Sequence, residues 1–183
     1  VKYNKLYPQV KIELISDVSP KIIALMKSDE CDIGFLNLPI ADYDGISIRK
    51  SIQLLHDVFV AGERFSALKG VTLAVKDLEK YPLLLMEPRT VSRESVDRYG
   101  ISHGAYFKPA VEVNSWEFMK RLVANGMGLG CLPREYALDE LLGGTLFEIA
   151  LSPEMPVRSV GMAVPENVNM TCALQSFINL FAE

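Results

Sequence analysis

Hydroxyl and arginine side chains gather in one stretch, Glu87 to Ser95, which reads EPRTVSRES. The apolar run Leu83–Met86 precedes it as a buried strand, and a helix that carries Val96 and ends at Gly100 follows, with Ser92 as its cap. Backbone N–H groups at a helix start, flanked by hydroxyls and arginines, can bind an anion. Taken by itself, the pattern is more typical of a capped surface helix, because capping is the common use of serine at this place.

Other reactive groups lie in no arrangement that points to catalysis. His56 and His103 have no metal-ligand spacing and adjoin no Gly-x-Ser-x-Gly nucleophile. His56 and Asp57 at a strand start are interpreted as a surface pair, since adjacent strand residues point to opposite faces. The glycines between 126 and 130 follow a helix and precede a strand, the reverse of a dinucleotide fingerprint. The sequence therefore predicts no catalytic residue, no metal site and no cofactor.

Composition narrows the class of protein further. The chain has 183 residues, a hydrophobic content of 49% and a net charge of −4 without a basic run, which argues against nucleic-acid binding by this segment. Cys31, Cys131 and Cys172 are widely spaced in apolar surroundings, which predicts reduced, buried thiols in a cytosolic protein. No apolar run approaches the length of a membrane span. The chain begins at Val1, within what reads as the end of a helix, and is interpreted as a fragment.

The stretch Asn114–Pro133 has the pattern of a helix followed by a strand, and much of the chain is organised around it. Asn114 is a candidate cap with Glu117 three residues later, and apolar residues then recur at helical spacing. Gly126 can end this helix in the left-handed conformation. A short apolar strand, Leu129–Leu132, follows. The glycines 128 and 130 would let the backbone pass close to a packed neighbour or to a ligand.

The remaining pattern alternates strands with helices. Val10 to Leu14 reads as a half-buried strand, Ser19 and Pro20 begin a helix, and Asp32–Leu36 follows as a strand, which together suggest a parallel βαβ unit. Later strands are predicted at 57–61, 83–86, 110–113, 146–151 and 159–164. Later helices are predicted at 73–80, 134–142 and 169–181.

Several motifs resemble the effector-binding domain of LysR-type transcriptional regulators. Leu122–Pro133 is similar to that family's "lVaaGlGiallP" signature, and Asn114-Ser115 matches the "ns" that precedes it. Tyr7–Val10 and Asp32–Phe35 match the family's "yP.v" and "lDlai" segments. Phe65-Ser66-Ala67 departs from the family by lacking the usual His-Pro. The resemblance covers nearly the whole chain in the right order, except the strand, hydroxyl-bearing loop and helix with which the family's domain opens.

The resemblance implies an α/β fold of two Rossmann-like lobes with a cleft between them, similar to type 2 periplasmic binding proteins. Lobe I would comprise residues 1–61 plus 150–183, and lobe II residues 62–149. A small, anionic effector is expected between the lobes, since ligands of open α/β sheets gather at the carboxyl ends of strands. The family's sites use a Ser or Thr at the position that Thr90 matches. The predicted effector-binding residues are Asn37, Leu38, Arg89, Thr90, Ser92 and Ser115.

Partners follow from the same resemblance. The family pairs these domains side by side and antiparallel, so a homodimer through 10–28 and 116–125 is expected, with a tetramer possible in a full-length protein. DNA would be bound only through an N-terminal winged helix-turn-helix that is absent from this chain. The protein is expected in the cytoplasm, with no membrane as a partner. Effector binding would shift the orientation of such DNA-binding domains. A free-standing solute-binding protein of the same fold and an α/β enzyme remain alternatives.

Overall fold

The computed structural model of the chain describes residues 2–40 and 43–181. Among these residues, α-helices span Lys2–Leu6 (α1), Ser19–Lys27 (α2), Val91–Ser102 (α3), Trp116–Ala124 (α4), Leu138–Leu142 (α5) and Cys172–Asn179 (α6). β-Strands span Gly34–Leu38 (β1), Ile46–Leu55 (β2), Asp57–Ala61 (β3), Thr72–Ala74 (β4), Leu83–Met86 (β5), Pro109–Val113 (β6), Leu129–Pro133 (β7), Phe147–Ser152 (β8) and Arg158–Pro165 (β9). Turns of 3₁₀ helix span Glu63–Leu68, Val75–Lys80 and Arg134–Tyr136.

Contacts divide the chain into two units, between which the backbone passes twice. The first unit contains the described residues of Val1–Gln53 and Ser159–Glu183, and the second is Leu54–Arg158. The passages therefore lie at 53/54 and 158/159, whereas the sequence interpretation placed the lobe limits at 61/62 and 149/150. The assignment of these parts as the two lobes of an effector-binding domain stays a prediction.

A mixed sheet with the strand order β4-β8-β3-β7-β5-β6 forms the second unit. β5 runs parallel to β6 and β7, whereas β3 runs antiparallel to β7 and β8. The pairings of β3 are thus antiparallel, while β4 pairs with β8 in parallel like β5 with its neighbours. Strand–helix alternation specifies parallel pairing only where a crossover helix joins the strands, as α3 joins β5 to β6 and α4 joins β6 to β7. No such crossover joins β3 to its neighbours.

Both faces are buried at the centre of this sheet, which explains why β5 and β7 are continuous apolar runs. Leu83 and Leu85 of β5 point into one core, together with Val96 of α3. Leu84, between them, points into a second core that contains Met119 and Val123 of α4. The alternation of side chains along a strand thus places α3 and α4 on opposite faces.

Two glycines allow the backbone to pack closely in this unit. A Cβ on Gly130 would lie 2.7 Å from Val123 Cγ2, so only glycine lets α4 approach β7 at this spacing. A Cβ on Gly128 would lie 2.2 Å from the backbone oxygen of Pro82. Packing against a neighbour, one of the two uses expected for these glycines, is confirmed.

The first unit has a smaller sheet with the order β1-β9-β2. β1 is antiparallel to β9, with Phe35 opposite Met162. Ile22, Ile23 and Met26 of α2 pack on this sheet, as their helical spacing predicts. The predicted parallel βαβ unit is therefore wrong here, since the described strands around α2 include β1 but no strand before the helix.

The predicted strand Val10–Leu14 does not form. The segment is irregular, and Leu14 is 93% exposed. Alternating residues supply a strand with an apolar face, but a strand also needs a neighbour for its backbone N–H and C=O groups. Among residues 2–40 and 43–181, no strand pairs with this segment.

Other differences concern local signals. The sequence did not predict β2. This strand is largely exposed, and its charged residues masked the alternation of apolar and polar residues. Ser19 lies inside α2, after the N-cap Val18. Residues 73–80 form the end of β4 and a 3₁₀ turn, and a bend at Ala137 divides the predicted helix 134–142 in two. Burial is confirmed for Cys131 only, because Cys31 is half-buried and Cys172 is exposed.

We predict that Gly128→Ala is far more destabilising than Gly104→Ala. The Cβ at 128 would displace the Pro82 oxygen, which accepts the Leu129 N–H at 2.9 Å, so about 3 kcal/mol of unfolding free energy should be lost. Gly104 has φ +71° but open space around it, so alanine should lose only about 1 kcal/mol. Urea unfolding of both variants measures the difference, and equal losses would contradict the packing role of Gly128.

Candidate functional site

The candidate site of the second unit lies at one edge of its sheet. The adjacent parallel strands β5 and β6 end there, with Met86 opposite Val113. Glu87 N–H donates to Val113 C=O at 2.9 Å and so fastens the two strand ends together. The starts of α3 and α4 follow these strands, so two helix N-termini, with their unsatisfied N–H groups, open at the same edge.

Thr90, rather than Ser92, caps α3. Its Oγ1 accepts the Arg93 N–H at 3.1 Å and donates to the Glu87 C=O at 3.0 Å. The expected cap at Ser92 is therefore wrong, and α3 continues past Gly100 to Ser102. The only proton of the Thr90 hydroxyl is used within the protein, which leaves it an acceptor lone pair for any further partner.

Ser115 caps α4 in the same way, and the expected cap Asn114 does not. Ser115 Oγ accepts the Phe118 N–H at 3.4 Å. The prediction missed by one residue because Asn and Ser are both good caps and stand side by side in the sequence. Thr90 and Ser115 thus occupy equivalent places, one at each helix start.

Arg89 and Arg93 differ in their surroundings. Arg89 is exposed and has φ 68°, and among the described residues it forms no ion pair. Arg93 is 11% exposed and is bound by the carboxylates of Asp97 and Glu112 at 2.9 and 2.7 Å. Burial opposes the charge of Arg93, but the hydrogen bonds that its guanidinium donates to Glu112 and Asp97 outweigh burial and raise the pKa of Arg93. Arg89 is therefore the arginine that can meet an incoming anion.

Ser92 faces the protein interior. Its Oγ accepts a hydrogen bond from Arg158 Nη2 at 3.2 Å. The same Nη2 donates to Asp57 Oδ1 at 2.8 Å, and Arg158 Nε donates to Asp57 Oδ2. Sequence reasoning missed Arg158 and misplaced Asp57, because their pairing spans the length of the second unit. The expected surface pair of His56 with Asp57 is wrong, since His56 Nδ1 contacts Glu135 Oε1 at 2.6 Å.

Trp116 is a second residue that the sequence did not identify as part of the site. Its ring stacks on Tyr136 with centroids 4.8 Å apart, and its Nε1 is buried without a hydrogen-bond partner among the described residues. A buried unpaired donor is uncommon in folded proteins. Its place directly after Ser115, at a helix start, was the available signal.

Space inside this unit is small. A cavity of about 10 Å³ lies between Ser92, Arg93, Trp116 and Cys131, with room for no more than one water molecule. Burial raises the pKa of the Cys131 thiol well above its usual value, with a smaller contribution from Asp57, so this thiol is not a nucleophile. This cavity is too small for an effector, so an effector that reaches Trp116 Nε1 must widen it.

Asn37 and Leu38 belong to the first unit, at the end of β1. Asn37 N–H donates to Ser19 Oγ at 2.9 Å. The side chain of Leu38 packs against the core that includes Leu36 and Ile46. The structure thus places Arg89, Thr90, Ser92 and Ser115 together at one sheet edge, and Asn37 and Leu38 together in the other unit.

Residues 2–40 and 43–181 contain no group of three His, Cys, Asp or Glu side chains that could hold a metal ion. No helix of these residues is long and apolar enough to cross a membrane.

We predict that Thr90→Val lowers the unfolding free energy by about 1 kcal/mol, because valine cannot accept the Arg93 N–H. Thr90→Ser, which keeps the oxygen, should retain most of the stability. Thermal unfolding followed by circular dichroism compares the two variants. Equal melting temperatures would show that the cap is replaced by water.

Comparison with known proteins agrees with this architecture. The family model described as the LysR substrate binding domain matches residues 1–183. The uncharacterized HTH-type transcriptional regulator YeiE of Escherichia coli (strain K12) is 29% identical over 178 residues, which are 97% of this chain and 60% of that protein. The uncharacterized HTH-type transcriptional regulator YwqM of Bacillus subtilis (strain 168) is 28% identical over 187 residues, with 98% and 60% covered. The chain thus spans 60% of the length of these relatives.

Solved structures show the same fold. The CcmR regulatory domain of Synechocystis PCC6803, in complex with 2-PG, has a TM-score of 0.86 at 19% identity, covering 98% of this chain and 86% of that one. The QuiR effector-binding domain, in complex with shikimate, has a TM-score of 0.84 at 15% identity, with 98% and 85% covered. These likenesses confirm the predicted α/β class similar to periplasmic binding proteins. The chain therefore belongs to the LysR substrate-binding domain family, the ligand-binding regulatory domain of LysR-type transcriptional regulators, which is a regulatory and not an enzymatic family.

Proposed function

We propose that this chain senses a small anionic effector on behalf of a DNA-binding regulator. The observation that carries the proposal is the edge where α3 and α4 both begin, with the unpaired Nε1–H of Trp116 beside it. Helix starts attract negative groups through their N–H groups and dipoles. The structures of the similar CcmR and QuiR domains contain 2-PG and shikimate, which supports a small molecule as ligand.

The charges at this edge favour directed hydrogen bonds over a strong positive field. Arg93 is neutralised by two carboxylates and Arg158 by Asp57. Glu87 and Glu94 also lie in the turn at the start of α3. An anion would therefore be held by backbone N–H groups, by Trp116 Nε1–H and by the exposed Arg89, rather than by a cluster of cations.

The proposed roles of the individual residues follow from their contacts. Thr90 and Ser115 hold the helix starts in place as caps, and each keeps an accepting lone pair for an effector hydroxyl. We propose that the first unit is lobe I and the second unit lobe II. Asn37 and Leu38 are the proposed effector-binding residues of the first unit. The family resemblance and the position of these residues at strand ends support this assignment.

The wider protein is proposed on the basis of its relatives. Both relatives are named HTH-type transcriptional regulators, and the chain matches 60% of their length. We propose that the remainder of the longer polypeptide supplies a winged helix-turn-helix that binds DNA in the cytoplasm. Effector binding would then act by favouring one arrangement of the DNA-binding domains over another.

A ligand experiment on the full-length regulator tests the site. A thermal-shift screen of small carboxylates and phosphates, with 2-PG and shikimate among them, identifies a binder, and calorimetry then measures its Kd. Trp116→Phe keeps an aromatic ring to stack on Tyr136 but removes the N–H, and Arg89→Ala removes the exposed cation. Each should weaken binding about tenfold, the effect of one hydrogen bond to a charged group.

Arg98→Ala is the matched control, because Arg98 is an exposed arginine of the same helix away from its start. Its Kd should equal that of the parent. If Trp116→Phe and Arg89→Ala also bind as tightly as the parent, the effector site lies elsewhere.

We also propose that the domain forms a homodimer through α2 and α4. Phe118 on the outer face of α4 is 54% exposed, and contact with a second copy would remove this apolar ring from water. Phe118→Asp should convert a dimer into a monomer, because a desolvated carboxylate opposes association. Sedimentation at micromolar concentration measures the change.

Tyr106→Asp is its control, since Tyr106 is also an exposed aromatic residue but lies outside both helices. This variant should remain a dimer. A monomeric parent protein, or a dimeric Phe118→Asp variant, would contradict the proposed surface.

A further inference from the structure

A buried ion pair joins the two ends of the second unit. Asp57 lies near the start of this unit at Leu54, and Arg158 is its last residue. Their side chains are 2% and 1% exposed. The guanidinium binds the carboxylate with two nitrogens, Nε and Nη2, in the forked geometry that fixes orientation as well as distance.

The position of this pair gives it a mechanical role. The backbone enters the second unit just before Asp57 and leaves it just after Arg158. Removing either partner would leave an uncompensated buried charge, which is strongly unfavourable. The pair therefore holds together the two ends of the second unit, at Asp57 and at Arg158.

Ser92 connects this pair to α3. Arg158 Nη2, which donates to Asp57 Oδ1, also lies 3.2 Å from Ser92 Oγ. Ser92 is the second residue of α3, and the helix is capped by Thr90 just before it. A displacement of the first turn of α3 must therefore either carry Arg158 with it or break this hydrogen bond.

We propose that Ser92 is a positioning residue that couples the start of α3 to both backbone passages through Arg158 and Asp57. A ligand that moves or rigidifies the first turn of α3 would thereby change the mobility of the backbone at 54–58 and at 157–159. The regulatory meaning of this link rests on the proposed effector site, whereas the link itself consists of contacts within the second unit.

Amide hydrogen exchange measured by NMR on the 183-residue chain tests the link. Ser92→Ala removes the acceptor of the Arg158 Nη2 bond. Exchange of the Asp57, Val58 and Arg158 amides should become about tenfold faster, as expected for a lost hydrogen bond to a charged group. Exchange in α4, on the opposite face of the sheet, should not change.

Ser95→Ala is the matched control. Ser95 lies three residues later on α3 and is as buried as Ser92, at 8% exposure for each. This variant should leave exchange at both passages unaltered. Arg158→Lys serves as a second variant, because lysine keeps the charge but cannot bind both Asp57 and Ser92 through a planar fork. It should accelerate exchange at the same amides.

The proposal is overturned if Ser92→Ala leaves exchange at the passages unchanged, accelerates exchange evenly across the unit, or has the same effect as Ser95→Ala. Failure of the effector site is a separate result, since it would appear as unchanged ligand affinity in Trp116→Phe and Arg89→Ala. The two outcomes can therefore be told apart.

Discussion

The central strands β5 and β7 of the second unit are buried on both faces, and the remaining features of that unit depend on this constraint. Burial on two faces requires strands that are apolar at every position, as in Leu83–Met86. It also requires helices that lie close to the sheet, which Gly130 permits for α4. Since α3 and α4 are fixed by these contacts on opposite faces, their N-termini open at one edge. The position of the candidate site therefore follows from the way in which α3 and α4 cover the two faces of the sheet.

The polar groups at that edge stabilise the second unit, and the same residues are the ones that we propose for binding. Thr90 and Ser115 satisfy helix N–H groups, and Ser92 satisfies a buried guanidinium. Hydroxyls suit this double use because each has one proton and two lone pairs. Arginine is used differently: Arg158 and Arg93 are neutralised inside the protein, and Arg89 alone among the three lies exposed. We therefore expect specificity at this edge to come from the direction of hydrogen bonds rather than from net charge.

Local sequence patterns predicted the elements whose signals are contained within them. The helix at 116–124 and the strands at 83–86 and 129–133 have their periodicity and glycine punctuation in one short window. The strand predicted at Val10–Leu14 does not form, because a strand depends on a partner that its own sequence pattern does not specify. The buried pair of Asp57 with Arg158 could not be predicted, because the two residues meet only after the strands between them have been arranged. The sequence placed the candidate effector site at the start of α3, and this stays a prediction. Trp116 was not included in it, because an unpaired N–H cannot be recognised without coordinates.

The distribution of the two units along the chain has a consequence for biosynthesis. Leu54–Arg158 is continuous, whereas the sheet of the first unit takes β1 and β2 from before it and β9 from after it. On the ribosome, the continuous unit can complete its contacts as soon as Arg158 has left the exit tunnel, while β1 and β2 must wait for β9 to be made. During that interval the edges of β1 and β2 that later bind β9 are open to pairing with other chains. The largely exposed β2 carries Arg49 and Lys50, charges of the kind that discourage such pairing during the wait.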